Sequence, residues 1–233
     1  KALPRPPVRR LAVAPLLSDV RERAIGLISG LPVEPTALAI IDGFTELSGR
    51  LGGETRMLAL FEGSEAVVER ATRDLRSALG KAGVAQTTLL EGQDAEHTFA
   101  RFIDAYIASV DERSVTYRSL GLPGTALVRE RRARALASTH GVEFDAIVDL
   151  RTGDVILRFV AKSPQSLLDS IAGLDTELHS TLERCVIIAG APHARARVDA
   201  WGPAPSTIAT MRDLKARFDR AGILAPGRFV GGI

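Results

Sequence analysis

The chain has 233 residues, 45% hydrophobic and 25% charged, with a formal net charge of +2. That balance suits a globular domain and does not favour a disordered tail or a dedicated nucleic-acid binder. One cysteine, Cys185, excludes an intramolecular disulfide, and no apolar run approaches the ~20 residues of a membrane span.

The N-terminus, "KALPRPPVRR", lacks the apolar core of a signal peptide and reads as a chain cut in the middle of something longer. "RLAVAPL" (Arg10 to Leu16) predicts a strand. "SDVRERAIGLISG" predicts a helix capped by Ser18 and stopped at Gly30. "TALAIIDG" and "RMLALFEG" predict two further strands. Ser64 to Gly83 carries Val67, Val68, Ala71, Leu75 and Leu79 at helical spacing, and "VAQTTLLEG" is strand-like again. The order is βαββαβ.

A connector helix is predicted over Asp94 to Arg113, with Phe99, Phe102, Ile103 and Tyr106 as its apolar side. The pattern then restarts. "SVTYRSLGLP" predicts a strand and Thr125 to Gly141 a helix. "FDAIVDL" and "DVILRFV" predict a hairpin turning at Thr152-Gly153. Ser163 caps a helix with Pro164 at its first position and Leu167, Ile171, Leu174 and Leu178 as its stripe. "RCVIIAG" closes a second βαββαβ. The fold class is therefore α+β: a duplicated ferredoxin-like unit with antiparallel sheets. It divides as 1–93, a connector 94–113, 114–192, and a C-terminal helix and ordered tail over 193–233. The helices of such a unit cover one sheet face. The other face needs a partner, which is the second sheet, another domain or a ligand.

Three segments resemble one family, the FAD-linked oxidases of the vanillyl-alcohol oxidase and p-cresol methylhydroxylase type. The first is "MRDLKARFDRAGILAPGRFVGGI". It is similar to the family's closing K-x-x-F-D-P-x-G-I-L-N-P-G-R/K at Lys215, Phe218, Asp219, Gly222, Ile223, Leu224, Pro226, Gly227 and Arg228. It departs at Arg220, where proline is usual, and at Ala225, where asparagine is usual. The second, "KALPRPPVRRLAVAP", looks like the junction between the family's FAD-binding and cap domains. The third, "VTYRSLGLPGTA", is similar to the W-R-L-S-x-P strand of the E subunit of glycolate oxidase, with "GAPHARA" a weaker likeness to that subunit's G-G-H-A. The metal motifs of the related D-type subunit are missing, which argues against a metal site.

No phosphate-cradling glycine loop is present; "LGGETR" (Leu51 to Arg56) lacks a following helix and reads as a hairpin connection. His97, His140 and His179 lie far apart and read as surface or loop histidines, and Cys185 as a small apolar filler. Arg129, Arg131, Arg132 and Arg134 read as a solvated helix face, since no aromatic residues interleave them for base stacking.

The resemblance implies the remaining assignments. Arg118, beside Tyr117, is either a bidentate holder of a substrate carboxylate or an edge-strand arginine paired with a local acid. Tyr117 and His193 join it as substrate contacts, and Pro226, Gly227 and Arg228 are cofactor contacts. The implied function is the cap domain of an FAD-dependent subunit, closest to the glycolate oxidase E type, that oxidises a small 2-hydroxy acid. FAD belongs to the intact parent and none is expected on this chain alone. The implied partners are an N-terminal FAD-binding domain of the same parent and other oxidase subunits. The implied location is cytoplasmic, with any contact at the inner membrane made through those subunits. The alternative is a flavin-free assembly or ligand-binding module.

Overall fold

The computed structural model describes residues 6–44, 55–107, 111–182 and 184–233. Lys1 to Arg5 of the N-terminal junction, the first four residues of "LGGETR" and the Tyr106 side chain lie outside the described residues.

The first repeat comprises β1 (Val8–Pro15), α1 (Ser18–Ser29), β2 (Ala37–Asp42), β3 (Thr55–Gly63), α2 (Glu65–Ala82) and β4 (Thr88–Glu91). The connector is α3 (Gly92–Ile107). The second repeat comprises β5 (Ser114–Ser119), α4 (Ala126–His140), β6 (Glu143–Asp149), β7 (Val155–Val160), α5 (Pro164–Thr181) and β8 (Cys185–Gly190). Then come a one-turn α6 (Pro192–Arg195) and α7 (Ile208–Phe218). The βαββαβ order is present twice.

The strands form one hydrogen-bonded series, β4-β1-β3-β2-β6-β7-β5-β8. Each repeat contributes the ferredoxin-like order 4-1-3-2, and the copies meet at their second strands. There, antiparallel β2 and β6 pair Ala39 with Asp149 and Ile41 with Ile147. The two expected sheets are thus one sheet of eight strands, joined edge to edge. Joining this way removes two exposed strand edges.

The chain divides into two compact units. One is Lys1–Ala108 with Gly121–Glu130 and Asp145–Ile156; the other is Ser109–Leu120 with Arg131–Phe144 and Leu157–Ile233.

In the first unit, alternate residues of the strands face opposite ways. Ala12, Ala14, Met57, Ala59 and Phe61 are all buried, and α2 packs on β1 and β3. The opposite set, Leu11, Val13, Ala39, Ile41, Leu58 and Leu60, is buried too, in one cluster with Ala95, Phe99 and Phe102 of α3. The connector helix is therefore the partner that the second face of this sheet required. Its apolar residues recur at helical spacing, so one stripe covers the strands. At α1, Ser18 is the first helical residue, Leu17 occupies the cap position, and no side chain caps the helix.

The arginine-rich helix α4 is less solvated than its composition suggests. Arg129 is buried, and its guanidinium donates to Thr125 Oγ1 and to the Gly153 carbonyl of the β6–β7 turn. Glu130 is 1% exposed and accepts from Arg21 at 3.1 Å. A guanidinium whose stem packs while its head meets a carbonyl is structural rather than a free positive charge.

In the second unit, Ser163 caps α5 as expected, accepting from the Ser166 N–H at 3.1 Å, with Pro164 in the first turn. Leu167, Ile171, Leu174 and Leu178 are fully buried. Antiparallel β5 and β8 pair Arg118 with Val186, with a bulge between Thr116 and Tyr117, and β5 lies between β7 and β8, so the strand of Arg118 is not the edge strand expected.

Candidate functional site

The tail after α7 is built from its own side chains. Asp219, directly after the helix, is 8% exposed and accepts from the Ile223 N–H at 3.0 Å and the Leu224 N–H at 2.9 Å. Lys215 meets it at 2.7 Å and also donates to the Leu224 carbonyl. The Lys215 hydrogen bond, followed by the Leu224 and Ile223 amides, holds the Asp219 carboxyl below the usual carboxylate range. One carboxylate thus ties the loop to the helix end, because two amides one residue apart point at the same group.

The next turn carries Pro226 and Gly227. The Arg228 N–H donates to the Ala225 carbonyl at 3.2 Å. Ala225 itself lies at φ +45°, in the left-handed region, as does Gly227 at +68°. A non-glycine residue pays for that conformation, and asparagine pays less than alanine. The turn therefore gives a physical reason for the asparagine usual at this place.

The loop presents its apolar residues outward. Phe218 is 85% exposed, Ile223 75% and Leu224 63%. The stripe of α7, Ile208, Met211, Leu214 and Phe218, has no buried member. Beside the loop lies a shallow depression of about 430 Å³ lined by Arg212, Lys215, Asp219, Arg220, Pro226 and Gly227. Two of the three expected cofactor contacts line it, and Arg228 is the next residue, exposed on the loop.

The expected substrate contacts separate. Tyr117 is fully buried, donates its O–H to Asp175 Oδ1 of α5 at 2.9 Å, and meets the Phe159 ring edge-on at 5.9 Å. Burial, and then the Asp175 charge, push its phenol well above the ordinary tyrosine value. Arg118 is the next residue of the strand and is exposed, so it lies on the opposite face. Tyr117 consequently backs the strand, its hydroxyl already committed to Asp175. His193 follows Pro192 in α6, which packs on α5 and β8. It is half-buried, and its Nε2 has no hydrogen-bond partner among the described residues.

Two of the histidines read as surface residues sit instead on helices in ion-pair reach. His140 Nε2 is 3.4 Å from Glu177, and His179 Nε2 is 3.5 Å from Asp175 Oδ1, with its side chain 10% exposed. The Asp175–His179 spacing of four on a buried stripe was the available signal for the second pair. Asp219 and Trp201 were likewise missed as organisers of the tail. Nothing in the local sequence ties Trp201 to a segment that follows 27 residues later. Among the described residues no group of histidine, cysteine and acidic side chains is arranged to hold a metal ion, and no helix is long and apolar enough to cross a membrane.

No family model matches this chain, and no curated protein matches it. Among solved structures it is similar to p-cresol methylhydroxylase with substrate bound, at TM-score 0.63 and 13% identity over 97% of this chain and 53% of that one. It is also similar to 4-ethylphenol oxidase from Gulosibacter chungangensis in its isoeugenol complex, at TM-score 0.58 and 12% identity over 97% of this chain and 54% of that one. The chain thus spans about half the length of each of these structures. At such identities the likeness is one of fold.

Proposed function

We propose that this chain is the cap domain of an FAD-dependent oxidoreductase, and that the full-length protein oxidises a small 2-hydroxy acid to its keto acid. One observation carries the reading. The segment that resembles the FAD-linked oxidase signature, Lys215 to Arg228, folds as an organised loop that turns its apolar side chains outward rather than into the chain's own core. Such a loop is shaped to be covered.

The residues present fit the edge of a flavin site. A Cβ built on Gly222 or Gly227 would meet no atom within 4 Å, so the backbone there is open to close approach. Arg212, Arg220 and Arg228 bias the loop toward an anionic group, while Lys215 is committed to Asp219. Pro226, Gly227 and Arg228 would contact the cofactor, and Arg228 would pair with its negative charge. When bound, FAD would supply the acceptor for the two electrons that leave the alcohol carbon. The chain's own residues bind and orient. Arg118, on the exposed face of β5, would hold the substrate carboxylate in a two-point contact. Tyr117, locked to Asp175 behind the strand, would keep that arginine in place.

Anaerobic mixing of the full-length protein with candidate substrates tests the substrate class. Bleaching of a flavin band by 2-hydroxy acids, and not by para-alkyl phenols, is the expected result. Bleaching by the phenols alone would move the chain's substrate to the class named for the two similar structures. A full-length protein without flavin would leave the exposed face of α7 as an assembly surface.

A further inference from the structure

We infer that Trp201 is a positioning residue for the tail: it fixes the backbone at Arg228 to the second unit's own framework. The inference uses the role proposed for Arg228 in one of its three readouts only.

The indole Nε1–H donates to the Arg228 carbonyl at 3.1 Å. The same ring meets Phe229 edge-on, with centroids 4.8 Å apart and planes at 65°. Two neighbouring tail residues are thus gripped by one side chain, one through a polar contact and one through an aromatic contact.

Trp201 is itself seated from both sides. Before it, the Ala200 carbonyl accepts from the Ile187 N–H of β8 at 2.7 Å. At it, Asp199 Oδ1 accepts the Trp201 N–H at 2.9 Å and forms a tight turn. After it, Gly202 lies flush against His179. Gly202 has φ +73°, and a Cβ built there would collide with the imidazole of His179. Only glycine combines that backbone with that approach. His179 stands within 3.5 Å of Asp175, which holds the Tyr117 hydroxyl. A continuous set of contacts therefore runs from Tyr117 in β5, through Asp175 and His179 in α5, to Gly202, Trp201 and Arg228.

The tail's other contacts have a different origin. Asp219, Lys215 and the bond from Arg212 to the Gly231 carbonyl all tie it to α7 or its end. Trp201 supplies an attachment to β8 and α5. Without it the Arg228 backbone would lose this fixed reference to the strand that carries Arg118.

Hydrogen exchange on the 233-residue chain tests this directly. Trp201→Phe keeps a ring against Phe229 and removes the N–H donor. Amide exchange at Phe229 and Gly232 should rise roughly five- to tenfold, with β8 and α5 unchanged. The chain has one tryptophan, so its emission reports the seat alone. Gly202→Ala should shift that emission to the red, and adding His179→Ala should restore part of the shift by relieving the collision. Unchanged tail exchange in Trp201→Phe would overturn the inference, and so would an equal rise across β8. In the full-length protein, flavin release by Trp201→Phe and Arg228→Ala should be non-additive, because one acts through the other. Additive release would overturn the inference. If the tail loosens as expected while Arg228→Ala releases no flavin, the positioning role stands and the cofactor role of Arg228 falls.

Discussion

Tyr117 of β5 donates its hydroxyl to Asp175 of α5 at 2.9 Å, from a side chain with no exposed surface. The bond joins a strand to the helix laid over it, and it also fixes which way the neighbouring residue faces. Because Tyr117 points inward, Arg118 points out.

Tyr117→Phe should therefore destabilise the chain by about 1–3 kcal/mol, since a charged acceptor loses its donor in a buried place. Denaturant unfolding with an unchanged slope would report it. The phenol should also resist ionisation. Its value is raised in the folded chain, so the stability it contributes is present below the ordinary tyrosine range, about 10, and is lost as pH rises beyond it. In a Tyr106→Phe background, tyrosinate absorbance should stay absent above pH 10 until unfolding begins.

Ala225 occupies a left-handed conformation at φ +45°. Ala225→Gly should stabilise the tail by about 1 kcal/mol, and Ala225→Asn by a smaller amount. Tail amide exchange resolves this where global unfolding does not. An Ala225→Val variant should loosen the same amides, because a β-branched residue tolerates the region least.

Asp219 makes the loop sensitive to acid. Its carboxyl is lowered chiefly by Lys215, so the folded chain releases that proton more readily than the unfolded one. Its contribution is present above the unfolded value of about 4 and is lost as pH falls below it. Exchange at Ile223 and Leu224 should be slow at pH 7 and should accelerate below pH 4 beyond the ordinary pH dependence of exchange. Asp219→Asn should show the loosened loop at both pH values.

The sequence was most legible where one residue pattern answers to one cause. The stripe Leu167, Ile171, Leu174 and Leu178 and the cap at Ser163 specify α5 locally, and the structure has them as read. The order βαββαβ, twice over, followed from the same signals. The joining of β2 to β6 did not, because pairing between strands a hundred residues apart leaves no local trace. Nor did the covering of a sheet face by α3, although its stripe was visible. At the candidate site the tail announced itself by apolar residues set among glycines and a proline. The inward turn of Tyr117 was hidden, since alternation tells which residues share a face and not which face the helix takes.

Arg118→Ala in the full-length protein should leave flavin content unchanged and lower kcat/KM for a 2-hydroxy acid by about ten- to hundredfold, the loss typical of one charge-assisted contact. Arg118→Lys should recover little, because an ammonium lacks the planar fork. Normal kcat/KM in Arg118→Ala would make this arginine a surface residue of the strand.

Flavin content decides the central claim. The full-length protein and the 233-residue chain are purified side by side, and their absorption near 450 nm is measured against protein concentration. Near-stoichiometric FAD is expected in the full-length protein, a colourless 233-residue chain beside it, and loss of flavin from full-length Arg228→Ala. A full-length protein with no flavin band, or an Arg228→Ala variant that keeps all of it, would contradict the role proposed for this tail.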